Sequence, residues 1–160
     1  MLLLLGTALS ISGQNKTWSP VTPAELAMKT PKVDPNADAE ALFWEIHIDD
    51  QKLNSVTYNH YVRIKIFTER GRDKYAKMDI PFTKKTSIDD IAARVIKPDG
   101  TIIELKPSDI FERELVKANK TRILAKSFAV PGIEPGVIVE YQYKETIKDD
   151  SVNGDRLVFQ

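Results

Sequence analysis

From Glu40 onward, apolar and polar residues alternate with a period of two, the signature of strands with one face buried and one face wet. In ALFWEIHIDD, Leu42, Trp44, Ile46 and Ile48 share one face, and Glu45, His47 and Asp49 take the other. In TYNHYVRIKIFTERG, Val62, Ile64 and Ile66 face inward, and Arg63 and Lys65 are expected to face solvent. The polar stretch Glu69-Arg70-Gly71-Arg72-Asp73 then reads as a turn. It leads to KYAKMDIPF, in which Ala76, Met78 and Ile80 alternate with Lys77 and Asp79, so these two segments are expected to form a hairpin.

A second hairpin is predicted by IAARVI and TIIEL, which flank Lys97-Pro98-Asp99-Gly100. Proline pre-sets the backbone angle at the second position of a type I turn, aspartate suits the third, and glycine takes the left-handed conformation that follows. Residues 107–120, PSDIFERELVKANK, break the alternation. There Ser108 or Asp109 is placed to cap a short helix resting Ile110, Phe111 and Leu115 on the sheet. Near the C-terminal end, SFAVPGIEPGVIVEYQY carries Pro-Gly at 131–132 and again at 135–136. Each pair supplies the fixed and the positive angle of a type II turn. Together they form a corner that launches a strand with Val137, Val139, Tyr141 and Tyr143 on one face and Glu140 and Gln142 on the other. The fold class is therefore all-β: an antiparallel β-sandwich of about seven or eight strands with at most one or two short helices.

The flanks have a different texture. Residues 1–13, MLLLLGTALSISG, run from leucines into small residues, like the later part of a secretory signal peptide that lacks its basic start. A truncated signal peptide is expected there, and with it export to the periplasm or the extracellular space. Residues 14–40 contain four of the nine prolines and read as a proline-rich linker or arm preceding a 41–160 sandwich domain. Within this arm, Thr22-Pro23-Ala24-Glu25 predicts one capped helical turn over residues 23–28. Asn15 and Asn119 each head a glycosylation sequon.

Composition narrows the chemistry. A chain of 160 residues fits one ordinary domain, burying roughly 70% of its unfolded surface. Its 23 basic residues balance 23 acidic ones, so no net field attracts nucleic acid. With no cysteine, disulfides, thiolate nucleophiles and sulfur-ligated zinc are excluded. His47 and His60 stand too far apart in sequence for a metal pair, and neither has a sequence-adjacent nucleophile. The doublets Asp49-Asp50 and Asp89-Asp90 point their carboxylates to opposite sides of an extended chain, and both are expected in loops. Lys117, Lys120, Arg122 and Lys126 read as a solvated face rather than a binding patch, because acids are interleaved. Trp18, Tyr58, Tyr61, Phe67 and Tyr75 are better accounted for by core filling than by a ligand groove. No catalytic residue, metal ligand or cofactor site is assigned.

The segments HYVRIKIFTERG, IAARVIKPDGTIIEL and KSFAVPGIEPGVIVEYQY, in that order, resemble the bacterial domain of unknown function 3857, the N-terminal module of exported transglutaminase-like proteins. That resemblance covers residues 40 to 160 and implies a β-sandwich followed by a domain with a papain-like Cys-His-Asp triad. This chain lacks the cysteine and closes on GDRLVFQ, in what reads as mid-strand. It is therefore expected to be a non-catalytic module, cut short, that orients the transglutaminase-like domain or contributes to binding its polypeptide substrate. A stand-alone glycan- or peptide-binding protein of the cell envelope is the alternative.

Overall fold

The computed structural model describes residues 17–118 and 121–148. The signal-like residues 1–13, Asn15, Asn119, Lys120 and the closing GDRLVFQ segment lie outside them. Among the described residues, eight strands form two antiparallel sheets. They are β1 (Ala39–Asp49), β2 (Ser55–Ile66), β3 (Lys77–Phe82), β4 (Thr86–Ile96), β5 (Ile102–Glu104), β6 (Phe111–Ala118), β7 (Thr121–Ala129) and β8 (Ile138–Lys148). The larger sheet has the order β1-β2-β8-β4-β5 and the smaller β3-β7-β6. Two short helices, α1 (Pro23–Ala27) and α2 (Glu69–Tyr75), complete the sandwich-like fold.

The core lies between the sheets. Val62, Ile64 and Ile66 of β2, Val95 of β4 and Val139 of β8 meet Ile80 of β3 and Phe128 of β7 there, with Val137 from the corner before β8. Tyr141 and Tyr143 extend the same face of β8. Burial pushes the Tyr141 hydroxyl up to about 12, with the neighbouring Tyr75 adding to the effect. The two Pro-Gly pairs form the expected corner between β7 in the small sheet and β8 in the large one. Gly132 and Gly136 have φ of +64° and +94°, and the Gly136 amide donates to the Ile66 carbonyl at 2.8 Å. The β4–β5 hairpin also follows expectation: the Gly100 amide donates to Lys97 O at 2.9 Å, and Gly100 has φ +86°.

Several sequence expectations are corrected. The segments β2 and β3 are not a hairpin. The polar stretch between them is the helix α2, capped by the Thr68 hydroxyl, which accepts from the Gly71 amide at 3.2 Å. That helix carries the chain across to the small sheet, where β3 pairs with β7, and Ala76 is its C-cap rather than a strand residue. Among the described residues of this stretch, 107–118, there is no α-helix. Pro107–Asp109 make a single 3-10 turn and Phe111–Ala118 form an edge strand, leaving Phe111 and Leu115 exposed. The interleaved charges of this stretch pair across strands, Glu112 with Lys126 at 3.1 Å and Glu114 with Arg122 at 2.6 Å. Trp44 lies on the expected face of β1, opposite Val62, yet is 57% exposed, because β1 is the edge strand and the three-stranded sheet is narrower. Asp89-Asp90 sit at a bulge within β4, with Asp90 at φ +53°, not in a loop.

On the outer face of the small sheet, Asp79 accepts from Arg113 Nη2 at 2.6 Å and from the Ser127 hydroxyl at 2.5 Å. These bonds hold its carboxyl at about 2, below the ordinary 3.8. A depressed acid contributes stability above its unfolded pKa and loses it as pH falls through the folded value. Asp79→Asn is therefore expected to reduce the loss of stability between about pH 4 and about pH 2, read from urea midpoints across that window. The buried Gly71 lies against Asp38, and a Cβ there would overlap the Asp38 carbonyl oxygen, which already accepts from the Phe67 amide at 2.9 Å. Gly71→Ala should cost about 2 kcal/mol in equilibrium denaturation by forcing these backbones apart.

Candidate functional site

Strand β8 runs down the middle of the large sheet, and its register with both neighbours sets the chemistry of the outer face. Glu140 stands opposite Arg63 of β2 on one side and Arg94 of β4 on the other. The Nε of Arg63 donates to Glu140 Oε1 at 2.8 Å, and the Nε of Arg94 donates to Oε2 at 2.6 Å. This face was expected to be wet. Glu140 is instead 0% exposed, Arg63 4% and Lys65 1%, because residues 17–26 of the N-terminal arm pack on it.

The arm is recognised mainly through its backbone. Arg63 Nη1 donates to Pro20 O at 3.1 Å and to Glu25 Oε1 at 2.9 Å. Its Nη2 donates to Ser19 O at 2.7 Å and to the Tyr61 hydroxyl at 3.3 Å. With Nε on Glu140, all five guanidinium N–H groups have acceptors, the condition under which a buried arginine is tolerated. Burial acts against its charge, but the bonds to Glu25 and Glu140 outweigh it and raise its pKa. Tyr61 donates to Glu140 at 2.5 Å and accepts from the Ser19 amide at 3.1 Å, and burial followed by the Glu140 bond raises its pKa. Trp18 lies against the Arg94 guanidinium at 4.5 Å and meets the edge of Tyr61 at 5.8 Å.

Helix α1 supplies the arm's own charge, and its capping box is as expected. Thr22 Oγ1 accepts from the Glu25 amide at 3.2 Å, and Glu25 Oε2 accepts from the Thr22 amide at 2.6 Å. The other carboxylate oxygen of Glu25 is thereby aimed at Arg63. Burial raises the Glu25 pKa, yet the Thr22 amide and the Arg63 guanidinium together bring it below the usual carboxylate value.

Beside this cluster, α1, the Pro135-Gly136 corner and Pro98 enclose a half-open cavity of about 370 Å³. Lys65 forms part of its wall, donating to Leu26 O at 2.9 Å and to Gly136 O at 2.6 Å.

The residues weighed from sequence are scattered. His47 is exposed on β1. His60 stacks on Tyr143 with ring centroids 4.2 Å apart and has Glu145 Oε2 at 3.2 Å from its Nε2, a carboxylate partner that sequence adjacency did not show. Among the described residues no group of three potential ligands is placed to hold a metal. The aromatics divide: Tyr58 is buried, Tyr75 packs on the core, Phe67 borders the cavity, and Trp18 and Tyr61 join arm to sheet. They do not line one groove. The buried row Arg63-Glu140-Arg94 carries no signal in the sequence, because a charged residue in an alternating strand ordinarily marks the solvent face.

The profile of DUF3857, a domain of unknown function with a solved structure, matches residues 53–158. The chain belongs to this family. Arg63, Arg94 and Glu140 lie inside the matched segment of the DUF3857 chain, whereas the arm and β1 lie before it. A search of curated proteins finds no match. Among solved structures, a Parabacteroides distasonis protein described as a "putative protease" is similar in fold, with a TM-score of 0.58 at 18% identity. The similarity covers 71% of this chain but 24% of that one.

Glu140→Ala would remove the carboxylate shared by the buried Arg63 and the half-buried Arg94 and is expected to cost about 3 kcal/mol. Glu25→Ala, at the partly exposed rim, should cost about 1 kcal/mol and move the Trp18 emission toward that of a solvated indole. Denaturant melts followed by fluorescence check both.

Proposed function

We propose that this DUF3857 domain is a non-catalytic module that accompanies a transglutaminase-like domain in the same or a longer polypeptide, orienting it or contributing to the binding of its polypeptide substrate. The observation carrying this reading is the combination of family membership with a fold match confined to 24% of a longer chain described as a "putative protease". A unit of this size within such a chain is suited to support a neighbouring domain. The absence of cysteine favours a supporting role, since a papain-like reaction needs a thiolate and this chain has none to offer. The large sheet also supports it: the centre of its outer face is covered by the arm, and its ion row pairs two arginines with two glutamates. On this reading the protein acts outside the cytoplasm, as its leucine-rich first residues suggest.

Two measurements test the proposal. The coding sequence beyond Gln160 is expected to continue into, or lie beside, one encoding a domain with paired cysteine and histidine. A stop codon at that point with no such neighbour would overturn the association. The purified chain should show no turnover of peptide or amide substrates, and activity that survives rigorous repurification would overturn the non-catalytic role.

A further inference from the structure

The cluster beneath the arm is electrically balanced, with Arg63 and Arg94 set against Glu140 and Glu25. Lys65, two residues further along β2 on the same face, is left out of that balance. Among the described residues its ammonium meets two carbonyl oxygens, those of Leu26 and Gly136, and no carboxylate. An ammonium carries three N–H donors, so one remains without an acceptor among the described residues. The side chain is almost wholly buried, and an unmatched charge taken out of water is costly. Desolvation accordingly lowers the Lys65 pKa.

The placement of this group points to a ligand. Lys65 and both of its acceptor residues line the half-open cavity of about 370 Å³, within the size range of small-molecule sites. Most of the remaining wall is apolar, formed by Met28, Phe67, Pro98 and Pro135 among others, and the exposed Lys29 is the second lysine that borders it. A buried ammonium with a spare donor in a largely apolar, half-open pocket matches an amphipathic anion: the buried charge gains an anionic partner, and the hydrocarbon covers the apolar wall.

We propose that this cavity binds a carboxylate carried on a small apolar group, with the carboxylate taking the spare N–H of Lys65 and the apolar part lying against Phe67 and Pro98. Both the C-terminus of a polypeptide and a free short-chain carboxylic acid present this chemistry. The inference does not depend on the association with a transglutaminase-like domain.

The test is a titration of the isotope-labelled full chain, followed by backbone amide shifts, with three probes: N-acetyl-leucine, N-acetyl-leucinamide, and a tripeptide ending in leucine with a free carboxylate. Saturable shifts are expected at the amides of Lys29, Phe67 and Gly136, with N-acetyl-leucine binding about tenfold tighter than its amide. Lys65→Met should abolish that preference. Tighter binding of the tripeptide than of N-acetyl-leucine assigns the site to polypeptide C-termini; equal or weaker binding assigns it to free acids. Equal affinity for acid and amide overturns the proposal, as does a lack of saturation below about 20 mM. Should the methionine variant not fold, the acid-to-amide comparison on the natural chain decides by itself.

Discussion

The row Arg63-Glu140-Arg94 is the constraint on which the rest of the large sheet depends. Glu140 is fully buried on the central strand, and it is acceptable there only because the register of β8 with β2 and with β4 sets an arginine on each side. A slip of one residue on either side would turn the arginine to the opposite face and leave a buried carboxylate half-matched. The row therefore ties three strands to one register. A hydrophobic row of the same volume would give comparable or greater stability but would discriminate less between registers. Tyr61 completes the arrangement by donating its hydroxyl to Glu140.

Burying that row requires a cover, and the arm provides it with little investment of sequence. Arg63 reads two backbone carbonyls, those of Ser19 and Pro20, which are indifferent to side-chain identity. Specificity comes from two side chains: Glu25, aimed by its own capping box, and Trp18, laid on the Arg94 guanidinium. Lys65 then links the end of α1 to the Pro-Gly corner through Leu26 O and Gly136 O. Arm, central strands and corner are thus one connected unit, although the family match begins only at residue 53. The arm belongs to the structure of this face even where it lies outside the matched segment.

The fold was legible where a local rule had no competitor. The hairpin at Lys97–Gly100 and the corner at Val130–Gly136 rest on proline and glycine angles that few other residues supply, and the capping box at Thr22 rests on two short-range bonds. It was misread where one pattern served two structures. Glu69–Asp73 is polar enough for a turn, but the Thr68 cap makes it a helix. Residues 107–118 break the period-two alternation and open with a serine and an aspartate suited to capping, but Phe111–Ala118 pair with β7, and Glu112 and Glu114 meet their partners across that hairpin. The pairing of His60 with Glu145 joins residues far apart in sequence, and only strand register brings them together.

The sequence alone determined the class of fold, the strand faces toward the common core, the tight turns, the lack of a thiol and the family to which the chain belongs. These follow from local periodicity, from backbone angles and from composition. Tertiary structure decided whether the second face of the large sheet meets water or protein. Arg63, Lys65 and Glu140 occupy the positions where an exposed strand would carry charge, and alternation cannot distinguish a charge that is solvated from one that is buried and paired. That difference arises only when β8 enters between β2 and β4 and the arm closes over all three, because a buried ion is stabilised by partners drawn from four separate stretches of the chain.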